Sequence, residues 1–191
     1  MSSLSPTLLL AWDISANEAA HTRQNFIEPE HLFIALCKLE DFSTAASLVD
    51  LGYEAGEAAI MESEVRGMVD LFYQHDIHPA NVRRELRQRK PTGMLQVLSG
   101  WTTGILRPTR ENDTNVIHRS PASRLLFTRA DEMALMTGSL TTTVAHLLAA
   151  ILDNPQSNLY LWLSKREIDV DALRQGALDL KPPSRQTDSA R

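Results

Sequence analysis

Apolar residues recur at helical spacing after Ser5-Pro6, where Leu9, Leu10, Ile14, Ala16, Ala19 and Ala20 share one face. Serine as an N-cap and proline at the first helical position start a helix without sacrificing a hydrogen bond, so the pattern predicts a helix over 5–21. Glu28-Pro29-Glu30 places proline and two acids in a first turn, where the helix dipole favours negative charge, ahead of the apolar run 32–39. A third helix, capped by Asp41 or Ser43, is expected to end at Gly52, and a longer fourth covers about 54–72. No segment of this part alternates as a strand should.

The same punctuation returns further along the chain. Ser120-Pro121 opens a helix with Leu125, Leu126, Ala130, Met133 and Ala134 on one face. Thr141, Thr142 and Thr143 precede an apolar helix over 145–152, Asn154-Pro155 is expected to open a third, and Asp169 to cap a fourth. A shift of about 115 residues lays the second set on the first without a gap. It matches Ser5-Pro6 with Ser120-Pro121, Trp12 with Phe127, Ala19 with Ala134, His31-Leu32 with His146-Leu147, Ala35 with Ala150, Leu48 with Leu163 and Tyr53 with Ile168. The shared order of caps, prolines and apolar positions is the signature of an internal repeat.

The stretch 74–119 has a different character. It holds the basic run 81–90, expected to be a short helix, and then a segment broken by Gly93, Gly100, Gly104 and Pro108. It reads as an insertion between a first repeat of about 4–73 and a second of about 120–179. The end of the chain, 181–191, has a proline pair and almost no apolar anchor, as a linker or tail would.

At Phe26-Ile27-Glu28-Pro29-Glu30-His31-Leu32-Phe33-Ile34-Ala35-Leu36, followed by Ala45-Ala46-Ser47-Leu48-Val49 and Gly52, the sequence resembles the Clp amino-terminal repeat. Ser120-Pro121, the run 145–152 and Asp169-Val170-Asp171 carry the likeness in the second half. The resemblance implies an all-α domain over 1–180, made of two pseudosymmetric four-helix repeats. In that family the domain sits at the front of Clp unfoldases and receives adaptors or substrates. Some members use a glutamate at the start of this motif in each repeat to hold phosphorylated arginine. Glu30 matches that position, whereas Ala145 replaces it in the second motif and Pro29 stands where a threonine is usual. The long insertion is a further departure, since a segment of that length either disorders or covers a surface.

Composition narrows the role. Hydrophobic residues at 43% and charged residues at 23% allow a packed core over most of the chain. A net charge of -5, from 19 Lys plus Arg against 24 Asp plus Glu, argues against a dedicated phosphate-backbone binder, so nucleic acid is an unlikely partner. The single cysteine, Cys37, offers no internal disulfide or multi-thiolate metal site, which points to a reducing compartment and a cytoplasmic protein. The run Leu8-Leu9-Leu10-Ala11-Trp12 has no basic flank of the signal-peptide kind, and no stretch approaches the ~18 apolar residues of a membrane span.

Catalytic chemistry is hard to assemble. No glycine is followed by the Lys-Ser or Lys-Thr pair of a phosphate-cradling loop, so no ATPase is expected. His75 and His78 lack a third ligand nearby, which leaves metal and cofactor both at none. His31 and His146, at equivalent helix starts, suit structural capping, and Cys37 suits the core. The expectation is therefore a non-enzymatic protein-recognition module serving Clp-type unfolding and proteolysis, with an unfoldase, adaptor or client protein as partner. Glu30, Arg83, Arg84, Arg87 and Trp101 are its candidate contact residues. A sensor module of a larger regulatory protein, or a nucleic-acid-binding regulator acting through the basic run, are the alternatives.

Overall fold

The computed structural model describes residues 3–88 and 117–180, and Trp101 with most of the segment 74–119 lies outside them, as does the tail 181–191. Nine α-helices account for most of the described residues. The first part contains α1 (Pro6–His21), α2 (Pro29–Lys38), α3 (Ala45–Asp50), α4 (Ala55–Gln74) and α5 (Pro79–Gln88). The second contains α6 (Pro121–Met136), α7 (Val144–Leu152), α8 (Asn158–Ser164) and α9 (Val170–Asp179).

Helix starts follow the expected chemistry. The Ser5 and Ser120 side chains accept the amides of Leu8 and Ser123, each with proline at the first helical position. Asp169 caps α9 through the amide of Ala172. Two starts differ from expectation. Residues Leu39–Phe42 continue α2 as a tighter 3-10 turn, which absorbs Asp41 and leaves Thr44 to cap α3. Asn154 accepts the amide of Gln156 and so closes a turn instead of opening a helix, and Ser157 caps α8.

Among the described residues strands, which the sequence pattern does not predict, form four two-residue pieces: β1 (Ser3–Leu4), β2 (Phe26–Ile27), β3 (His118–Arg119) and β4 (Thr141–Thr142). They pair in parallel, β1 with β4 and β2 with β3. Each pair joins the segment before one serine-proline helix to the segment before the apolar helix of the other half. The exchange is reciprocal: Ser3 lies opposite Thr141, and Phe26 opposite His118. The ladders continue identically, with the Ser5 amide donating to the Thr142 carbonyl (2.9 Å) and the Ser120 amide to the Ile27 carbonyl (3.1 Å).

The core is centred on α2, α4 and α7. Every residue of α7 is buried, as is the run His31–Cys37 of α2, which explains why both read as near-continuous apolar sequence. Helix α1 packs on α2, α6 on α7, and α7 on α9, while α4 touches α1, α3, α7 and α9. Met61, Val65, Met68 and Phe72 of α4 are fully buried, and Phe72 meets Phe33 edge-on. The basic helix is not an appendage. Val82 and Leu86 of α5, with Ile77 before it, are buried against the same core, and α5 packs on α2. The expected insertion thus begins with a fifth core helix of the first half.

Among the described residues no helix is long and apolar enough to cross a membrane.

Candidate functional site

The two apolar helices α2 and α7 begin with the same device. The His31 ring accepts the Glu28 amide at Nδ1 (3.0 Å) and meets the Thr22 hydroxyl at Nε2 (3.3 Å). His146 accepts the Thr143 amide at Nδ1 (3.1 Å) and meets Thr137 at Nε2 (3.0 Å). Since an amide can only donate, Nδ1 of each ring is unprotonated and the neutral ring carries its proton on Nε2. Both threonine hydroxyls already donate to carbonyls of the preceding helix, so Nε2 is their donor. Burial lowers the pKa of both rings; around His31 the charges of Glu28 and Glu18 partly oppose it. These histidines hold helix starts and are not free to move protons.

Between these helix starts lies the junction of the two halves. Trp12 and Phe127, which the sequence shift sets equivalent, meet edge-on with ring centroids 5.7 Å apart. The Ser123 hydroxyl donates to the Ile27 carbonyl (2.6 Å). On the other side, buried Glu64 of α4 accepts both the Ser5 hydroxyl and the Val144 amide at Oε1, each at 2.9 Å. Its burial raises the carboxyl pKa, against the lowering effect of the Val144 amide and the Thr7 and Ser5 hydroxyls. Sequence reasoning missed Glu64, although an acid at the centre of the Met61, Val65, Met68 face was a visible signal.

Glu30 sits in the first turn of α2, half-buried, beside the α2 N-terminus. Its counterpart Ala145 is buried and apolar, so the carboxylate occurs at one of the two equivalent helix starts. The arginines of α5 are largely committed within the fold. Arg83 pairs with Asp41 at 2.5 Å, and Arg87 grips Glu18 with two nitrogens at 2.9 and 2.6 Å. Burial pushes the Glu18 carboxyl upward, but hydrogen bonds and charge from Arg87 and Lys38 outweigh it and leave the pKa lowered. Exposed Arg84 bonds Asn81, and Glu85 pairs with Arg166 of the second half. The structure therefore holds Arg83 against the 3-10 turn and Arg87 against α1, each paired with an acidic side chain.

Cys37 is 1% exposed and its thiol pKa is driven up by burial, which makes it a core residue. Among the described residues no group of three or more His, Cys, Asp or Glu side chains is arranged to hold a metal ion. A cleft of about 390 Å³ opens between the end of α4 and the turn before α9, lined by His75, Asp76, Arg166, Glu167 and Asp169. Arg166 there is held by Glu85 and lies 4.6 Å from the Trp162 ring centroid. Trp162 itself is 7% exposed, in keeping with a core position.

No protein-family model matches the chain, and a search of curated proteins finds no match either.

Proposed function

We propose that this chain is a double Clp-type repeat and that it acts as a non-catalytic recognition module for adaptors or substrate proteins linked to Clp-type unfolding and proteolysis. The observation that carries the reading is agreement of non-periodic detail between equivalent positions. Both serine-proline starts, both histidine caps with their threonines, and both strand pairs correspond under one shift. So do the left-handed backbone positions: Arg23 (φ 54°) corresponds to Gly138 (φ 72°), and Gly52 (φ 98°) to Glu167 (φ 63°). Left-handed residues other than glycine are uncommon, so their recurrence at matched places favours duplication of one unit over convergence of helical propensity.

Recognition is favoured over catalysis because His31 and His146 are occupied as caps and the thiol is buried. Protein is favoured over nucleic acid because Arg83 and Arg87 of the basic helix are neutralised by Asp41 and Glu18. In this reading Glu30 is the first polar contact, at the start of α2, and the protein works in the cytoplasm.

The test is affinity capture from lysate of the source cells with the wild-type chain beside Glu30→Ala. Enrichment of an unfoldase, a protease subunit or a defined client set that the variant loses is the expected result. Recovery of nucleic acid alone, or of nothing specific, would remove the proteolysis-linked role.

A further inference from the structure

In this acidic chain most described arginines face carboxylates: Arg66, Arg83, Arg87, Arg129, Arg166 and Arg174 all form ion pairs. Arg23, Arg119 and Arg124 have no carboxylate within ion-pair distance among the described residues and belong to one neighbourhood; Arg84, on α5, is the other described arginine without one and bonds Asn81 instead. Arg119 is in β3 and Arg124 in the first turns of α6, with its Nε donating to the Arg119 carbonyl (3.3 Å). Arg23 is in the left-handed turn that leads into β2, the partner of β3. All three are exposed.

Arg119 is also pre-set. Its guanidinium carbon lies 5.4 Å from the centroid of Trp12 and 5.5 Å from that of Phe127, so two rings of the junction hold one cation. The two ring contacts restrain the guanidinium, and its N–H groups can still donate to a carboxylate. One position back along the strand pair, Phe26 lies opposite His118 and leaves 47% of its surface exposed. The related surface across the junction has no such charge: leucines stand at the matching positions, Leu4 for Arg119 and Leu9 for Arg124. The cationic cluster is therefore a property of one side and not a by-product of the duplicated architecture.

We propose that the surface around the β2–β3 pair, with Arg119 at its centre and Arg23, Arg124 and Phe26 around it, docks an acidic protein segment that carries an apolar side chain. Carboxylates of the segment meet the guanidinium edges, and its apolar residue covers Phe26. Net charge of -5 on the whole chain repels a polyanion at long range, so the attraction is local to this cluster. The inference rests on the recognition reading for its biological sense and names the chemistry of one partner surface, distant in logic from Glu30.

The experiment is fluorescence anisotropy on the intact chain with a labelled glutamate-rich peptide carrying one leucine, at low and high salt. The matching lysine-rich peptide and a single-stranded oligonucleotide serve as comparisons. The expected result is binding of the acidic peptide only, weakened about tenfold by Arg119→Ala or Arg124→Glu, and by salt. Arg119→Lys keeps the charge but loses the planar edge, and is expected to fall between the two. Lys165→Glu, at the exposed end of α8, is expected to leave binding unchanged. Thermal melts confirm that each variant is folded. No preference for the acidic over the basic peptide would overturn the proposal, as would equal loss in Lys165→Glu or tighter binding of the oligonucleotide. Failure here leaves the Glu30 capture result standing, so the two readings fail separately.

Discussion

The starts of α2 and α7 face one problem and answer it with different residues. Helix α2 begins at half-buried positions and α7 at buried ones, where an unpaired backbone amide is costly, about 1–3 kcal/mol. In α2 the first helical residue is Pro29, which has no amide to satisfy. In α7 it is Val144, whose amide needs an acceptor, and α4 supplies Glu64 from the other half of the chain. Under the proposed duplication the two units have diverged here: one start has no donor to satisfy, and the other has a long-range bond that ties the halves together. The second solution buries a carboxylate.

That comparison can be strained in a definite order. The largest effect is expected from the core positions that the two halves share. Leu32→Ala and Leu147→Ala each remove a fully buried side chain and should destabilise by about 3 kcal/mol in urea melts, to a similar extent. A loss confined to one of them would show that the halves carry unequal weight.

Val144→Pro copies the first half into the second and takes away the donor that Glu64 accepts. It is expected to cost about 2 kcal/mol, and Glu64→Met is expected to restore most of that in the double variant. Additive losses in a double-mutant cycle would break the proposed link.

The histidine caps predict a pH effect of the next rank. Burial lowers both pKa values from the ordinary 6.5, so the unfolded chain binds protons that the folded chain refuses. Their contribution is complete above about 6.5 and is lost as pH falls through the folded values. Stability measured between pH 7.5 and 5 should decline, and the His31→Gln, His146→Gln double variant should flatten that decline.

The smallest effect sharpens the view of α5. Arg87→Ala should lose about 1 kcal/mol, because Glu18 is almost buried and keeps only Lys38, 3.4 Å away. Arg83→Ala, whose partner Asp41 is well exposed, should lose less than about 0.5 kcal/mol, and salt should erase that difference first. Chemical denaturation at two ionic strengths separates them.

Helix positions were legible because their signals are local. Ser5-Pro6, Ser120-Pro121, Glu28-Pro29 and Asp169 act within a turn of themselves, and the helices begin there. Asn154 misled because the same side chain can close a turn two residues on, and that choice depends on where the following apolar residues must pack. The strands could not be seen: two residues have no period, and their partners lie more than 80 positions away. The site divides in the same way. Capping by His31 and His146 was readable from their place at helix starts, whereas the pairing of Arg83 and Arg87 with Asp41 and Glu18 depends on how α5 folds back on α2. Arg119 carried no sequence signal at all, since its meaning comes from two rings brought together by tertiary packing.

The proposed duplication requires each half to pair its strands with those of the other. Nuclear Overhauser contacts in the intact labelled chain test it most directly. The account predicts Ser3 beside Thr141 and Phe26 beside His118, with the amides of Ser5 and Ser120 both slow to exchange. One pair without the other, or neither, would contradict it.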